Sequence, residues 1–258
     1  MSRVASGEEA APRGHLVVVG GGKTNPEITR KALDLAGGTK ARVVILPQAS
    51  ELPDTGEKST LLWRELGAQT VVAIKDLGAA EARREIEAAG VIWMPGGSQN
   101  KLAGAIRDAG LEDLIRTRYR DGAVVGGTSA GAAVISQLMI TGEADLRSIT
   151  SGATKTAEGL GLWPEVIVDQ HFVKRQRFAR LVSAVLDHPD KIGVGIDEET
   201  AVIVTGGEWR VLGSSSVIVI DARDAKRGDS KPGAIASATD LRVHVLKAGM
   251  TWKPSARP

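Results

Sequence analysis

Ser129 stands in Gly127-Thr128-Ser129-Ala130-Gly131, after the apolar run AVVG and before AAVISQLM. That is G-x-S-x-G between a strand and a helix, the setting in which a serine is turned outward as a nucleophile. Glycines on both sides remove Cβ clashes at a sharp bend. The N–H groups that follow, beginning with Ala130, point at the oxyanion that develops on an attacked carbonyl. The same residues would also suit a close-packing Gly/Ala turn that carries an incidental serine, so the motif by itself leaves two readings.

A serine nucleophile needs a base, and the chain holds four histidines. His15 lies at the amino end of the first strand, whereas sites in parallel sheets form at the carboxyl ends. His188 belongs to a His-Pro turn and His244 alternates outward in a late strand, so both read as surface residues. His171 follows the strand EVIVDQ and opens a helix, the same edge geometry as Ser129. A carboxylate must orient such an imidazole, and the strand IGVGID runs into Asp197-Glu198-Glu199. Those acids could equally form a solvated turn. The order Ser, His, acid also differs from that of the α/β-hydrolases, where the acid precedes the histidine.

Other polar groups fall at similar strand ends. In Met94-Pro95-Gly96-Gly97-Ser98-Gln99, Gly97 could supply a second oxyanion N–H and Gln99 could hold a substrate amide or carboxylate. Arg175, Arg177 and Arg180 could face an anionic substrate group, or form the wet side of an amphipathic helix. The first turn, GGGKTN, suggests nucleotide binding but fits neither fingerprint. A P-loop would need glycine where Val17 stands, and the dinucleotide motif would need it at Asn25.

These residues require a scaffold that brings strand ends together. HLVVVG, ARVVILP, AQTVVAI, GVIWMP and GAVVG are each followed by a helix-compatible stretch, the pattern of a mainly parallel sheet covered on both faces. A helix is expected over 172–186, and IGVGID, TAVIVTGG, WRVLG, SSVIVID and LRVHVLK read as late, antiparallel strands. No linker or repeat divides the chain, so residues 15–258 read as one α/β domain behind a loose polar tail over 1–14.

Composition bounds the alternatives. Of 258 residues, 42% are hydrophobic and 25% charged, enough apolar material for a core. With 33 basic against 31 acidic residues the formal charge is +2, which argues against nucleic acid or an anionic membrane as partner. The absence of cysteine excludes disulfides, thiolate metal sites and cysteine nucleophiles. No cofactor or metal is expected. Residues 122–142 are free of charge and long enough to span a bilayer, but their glycines and hydroxyls read as a buried strand-turn-helix. MSRVASGEEAAPRG lacks the apolar core of a signal peptide, so a cytoplasmic location is expected.

Taken together, GTSAGAAV, VDQHF followed by RxRxxRL, and GIDEET resemble the cyanophycinases, serine hydrolases related to aspartyl dipeptidase. The similarity runs from the first strand to SSVIVIDARDA. It implies a three-layer α/β/α fold like that of class I glutamine amidotransferases, and a homodimer. It further implies Ser129 as nucleophile, His171 as base and Glu198 as orienting acid, with Gln99, Asp169, Gln170, Arg177 and Arg180 at substrate-holding positions. The implied substrate is cyanophycin, a poly-aspartate backbone bearing arginine on each β-carboxyl, cut to β-Asp-Arg dipeptides. The chain departs from the family pattern at Lys23, where acidic residues follow the first glycines, and at Arg147, near the place of an arginine-binding acid for which Glu143 or Asp145 could substitute. A dipeptidase for other aspartyl or isoaspartyl peptides, or a catalytically silent binding module on the same fold, are the rival readings.

Overall fold

The computed structural model describes residues 11–23, 25–142, 146–228 and 230–255. Most of the tail expected over 1–14, together with Thr24, Glu143 and Asp145, therefore lies outside the described residues.

Strands and helices alternate through the first half as the apolar runs require. β1 (His15–Val19), β2 (Arg42–Ile45), β3 (Thr70–Ala73) and β4 (Val91–Met94) are separated by α1 (Pro26–Leu35), α2 (Thr55–Glu65) and α3 (Ala80–Glu87). The start of α1 follows from local chemistry: Pro26 occupies its first turn, and the Asn25 side chain accepts the Glu27 N–H at 2.9 Å. Next come α4 (Gln99–Asp108), α5 (Glu112–Asp121), β5 (Val124–Thr128) and a single helical turn, α6 (Ala130–Ala133).

The second half adds β6 (Leu138–Ile140), β7 (Thr156–Glu158), β8 (Val166–Gln170), α7 (Phe178–Asp187), β9 (Ile192–Ile196), β10 (Thr200–Thr205), β11 (Glu208–Gly213) and β12 (Ser216–Asp221). Short β13 (Lys226–Arg227) and β14 (Ala238–Thr239), then β15 (Arg242–Lys247) and β16 (Thr251–Trp252), close the chain.

The strands form a large sheet of order β16-β11-β10-β1-β5-β4-β2-β3 and a smaller one of order β15-β12-β9-β8, besides two small pairs. In the large sheet β1, β5, β4, β2 and β3 are parallel, while β10, β11 and β16 continue it antiparallel. Alternation along β1 explains the layering. Val17 and Val19 face the core built with Ile28 and Leu33 of α1 and Trp63 of α2, whereas Leu16 and Val18 face the core shared with α3–α6. That second core is closed on its far side by Val168, Val194 and Val219 of the smaller sheet, whose opposite face packs Ile167 and Ile220 under Leu181 and Val185 of α7. No described helix is long and apolar enough to cross a membrane.

The structure departs from the sequence-based expectation in particular places. The helix expected over 172–186 begins only at Phe178, because residues 172–177 form turns held by the Asp197 carboxylate and by a left-handed Gln176 at φ 53°. The helix after Ser129 stops after one turn. α5 was not anticipated. The late strands are divided between the two sheets, and β9 pairs antiparallel with β12, as expected, but in parallel with β8.

Candidate active site

Four carboxyl ends meet at one rim: those of β1 and β5 from the large sheet, and those of β8 and β9 from the smaller one. Gly20 follows β1, Ser129 follows β5, His171 follows β8 and Asp197-Glu198 follow β9. The turn after β1 ties them together. The carbonyls of Val19, Gly20 and Gly21 accept the backbone N–H of Ser129 at 3.0 Å, His171 at 2.6 Å and Glu199 at 2.9 Å, respectively.

Ser129 has φ 55° and ψ −111°, and His171 has φ 49°. Side chains seldom adopt these conformations, which persist only where the surroundings impose them. The result is a continuous chain of contacts. Ser129 Oγ lies 2.9 Å from His171 Nε2, and His171 Nδ1 lies 2.6 Å from Glu198 Oε1. With Nδ1–H donating to the carboxylate, Nε2 is left to accept the serine hydroxyl. Burial lowers the imidazole pKa from its ordinary value, and the cations of Arg175 and Arg177 act in the same direction against the hydrogen bond and charge of Glu198. The ring is therefore neutral near pH 7, with its Nε2 lone pair available.

A Cβ on Gly131 would lie 1.8 Å from the Met94 carbonyl, so the glycine-rich elbow packs closely, and it places the Ser129 hydroxyl beside His171. Gly21, at φ 115°, lies against the imidazole, and a Cβ there would come within 2.3 Å of the ring. The GGG turn that resembled a phosphate loop thus forms the floor under His171. Among the described residues, neither the Ala130 nor the Gly97 N–H has a backbone acceptor. Gly97 immediately follows Gly96, whose Cβ position would contact the Ser129 side chain at 3.3 Å.

The polar residues expected near His171 are largely engaged with one another. Arg180, buried in α7, forms a two-pronged pair with the buried Asp169, its Nε donating at 2.7 Å, so it is no part of a solvated face. Arg177 donates to both the carbonyl and the amide oxygen of Gln170 at 2.6 Å. Burial, with the neighbouring Arg180 cation, pushes its pKa down to about 10, leaving it charged at neutral pH. Gln99 donates to the Ile140 carbonyl at 2.8 Å, and Arg180 to that of Gly142 at 3.3 Å. Arg175, Lys23 and Arg147 are exposed.

The acidic triplet separates by function. Glu198 meets the imidazole, Glu199 is exposed, and Asp197 is buried, bonded to the N–H groups of Val173 and Lys174 and to the Ser215 hydroxyl. No sequence signal singled out Asp197. Of the remaining histidines, His15 bonds Thr205 at the opposite end of β1, His188 caps α7, and His244 stacks near Trp252. Among the described residues no group of three or more potential ligands could hold a metal ion.

A hydroxyl, an imidazole and a carboxylate in bonding sequence at a strand-to-helix elbow is the constellation of serine-type peptidases. The model of peptidase family S51 matches residues 16–212, and the chain belongs to that family. It is similar to the cyanophycinase of Trichormus variabilis, with 36% identity over 248 residues, 91% of this chain and 83% of that one. It is similar as well to the cyanophycinase of Geminocystis herdmanii, with 36% identity over 91% of this chain and 90% of that protein. The crystal structure of a peptidase from an acI-B1 Actinobacterium shares the fold, with a TM-score of 0.70 and 23% identity over 93% of this chain and 96% of that one.

Proposed function

We propose that this chain hydrolyses cyanophycin to β-Asp-Arg dipeptides as a serine exopeptidase, with Ser129 as nucleophile, His171 as general base and Glu198 as the acid that orients the imidazole. The observation that carries the reading is the unbroken contact from Ser129 Oγ through both imidazole nitrogens to Glu198. The cyanophycinases that match over most of the chain support the substrate.

His171 Nε2 takes the hydroxyl proton as Ser129 Oγ attacks an α-peptide carbonyl of the polymer backbone. The N–H groups of Ala130 and Gly97, which have no backbone acceptor among the described residues, receive the oxyanion; a donor of this kind is worth about 2.7–4 kcal/mol. Collapse expels the amine, which takes the proton from His171, and water, deprotonated by the same nitrogen, then hydrolyses the ester. Arg175 and Arg177 supply positive charge for substrate carboxylates, while Gln99, Asp169, Gln170 and Arg180 hold the rim beneath them. The burial of those four residues, against the exposed Arg175 and half-buried Arg177, supports this division. The proposal extends to a homodimer, as the family resemblance implies, to be read by sedimentation.

Incubation with purified cyanophycin tests the reading through release of β-Asp-Arg by wild type and Ser129→Ala. Release by wild type alone is expected, and release by the mutant would remove Ser129 from its role. Labelling of wild type by a fluorophosphonate without cyanophycin cleavage would assign the same residues to other aspartyl peptides. Failure of both assays would leave a silent binding module.

A further inference from the structure

Asp197 precedes Glu198, yet its carboxylate serves different partners. Oδ1 accepts the backbone N–H of Val173 at 3.1 Å and of Lys174 at 2.9 Å, the second and third residues after His171. Oδ2 accepts the Ser215 hydroxyl at 2.7 Å, and the Asp197 N–H donates to the Ser216 carbonyl at 3.2 Å. The segment that leaves the imidazole is thus fixed at successive points: His171 to the Gly20 carbonyl, Phe172 to the Ile196 carbonyl, and Val173 and Lys174 to one carboxylate oxygen. No helix supports it there, and His171 sits in a left-handed conformation that its own chain would not choose.

We infer that Asp197, braced by Ser215, is a positioning residue for His171: by capturing the next N–H groups it holds the backbone that aims Nε2 at Ser129. The inference rests on the proposed role of His171 as base. A buried acid that merely stabilised the fold would lower the melting temperature without slowing the chemistry of the molecules that remain folded.

The test compares wild type, Ser129→Ala, Asp197→Ala, Asp197→Asn and Ser215→Ala, each well below its own Tm. Phosphonylation by a fluorophosphonate and kcat and KM on cyanophycin are both measured. Loss of labelling in Ser129→Ala establishes the nucleophile independently; retained labelling there would defeat the proposed function itself, whatever Asp197 does.

With the nucleophile established, Asp197→Ala is expected to slow phosphonylation about 10²-fold, the cost of a small misplacement of a reacting group, and to lower kcat with KM little changed. Asn keeps an oxygen for the two N–H groups and an NH₂ for the Ser215 oxygen, so Asp197→Asn should recover most of the rate. Phosphonylation of Asp197→Ala at the wild-type rate, or equal losses in the Ala and Asn variants, would overturn the inference. Should Asp197→Ala fail to fold, Ser215→Ala decides: a several-fold slower phosphonylation is expected, and the wild-type rate would refute the role.

Discussion

The backbone N–H of His171 donates to the carbonyl of Gly20 across 2.6 Å, joining the end of β8 in the smaller sheet to the end of β1 in the larger. This bond is the middle one of three, between those from Val19 to Ser129 and from Gly21 to Glu199. A single turn of backbone therefore sets the spacing of hydroxyl, imidazole and carboxylate.

Gly21→Ala tests that template. The added methyl would fall within 2.3 Å of the imidazole at a φ that disfavours any Cβ, so either the ring or the turn must shift. A fall in kcat of about 10²-fold is expected, with phosphonylation by a fluorophosphonate slowed in parallel. Full activity in this variant would show that the turn is merely adjacent to the imidazole.

Glu198→Gln keeps the size of the side chain but removes its charge. The amide can donate to Nδ1 and leave the proton on Nε2, the wrong tautomer for accepting the serine hydroxyl. A loss in kcat on the order of 10⁴ is expected by analogy with the equivalent change in other triads, and steady-state kinetics with cyanophycin would measure it.

The pH profile follows from the environment of His171. Burial first, then Arg175 and Arg177, hold its pKa below the ordinary 6.5, with Glu198 opposing. The base works only when unprotonated, so kcat/KM should be at its plateau above 6.5 and fall through a limb lying below that value. Removing a lowering cation in Arg175→Gln should move the limb upward. A wild-type limb above 6.5 would contradict this account.

Arg180 provides a stability prediction. Its guanidinium is buried against a buried carboxylate, so Arg180→Met leaves Asp169 charged with only the longer contact to Arg177 at 3.6 Å, at a cost of up to about 3–5 kcal/mol. Urea unfolding would register the loss, and the double change with Asp169→Asn should recover part of it.

The parallel half of the large sheet and the elbow were legible because each rests on local patterning: apolar runs of strand length, and glycines where a sharp bend needs them. Ser129 and His171 were found through their shared place at strand ends. The bracing of His171 was not, since it depends on Asp197 meeting N–H groups distant in sequence, a contact that no periodicity encodes. The helix expected over 172–186 was too long for a related reason: its apolar stripe is real from Phe178 onward, but Gln176 at φ 53° breaks the turn that the Arg175 N–H begins on the His171 carbonyl. Arg180 reads as a solvated helix residue until β8 is seen to bring Asp169 beneath it. β10 and β11 are apolar enough to suit either sheet, and only the pairing of β10 with β1 and of β11 with β10 decides.

The hydroxyl is carried by one sheet and the imidazole and carboxylate by the other. Turnover is thus a sensitive gauge of how the two layers are seated. Heating should weaken hydrolysis at temperatures where the secondary structure is still intact, because a misplacement of about 1 Å between them costs about 10²-fold in rate.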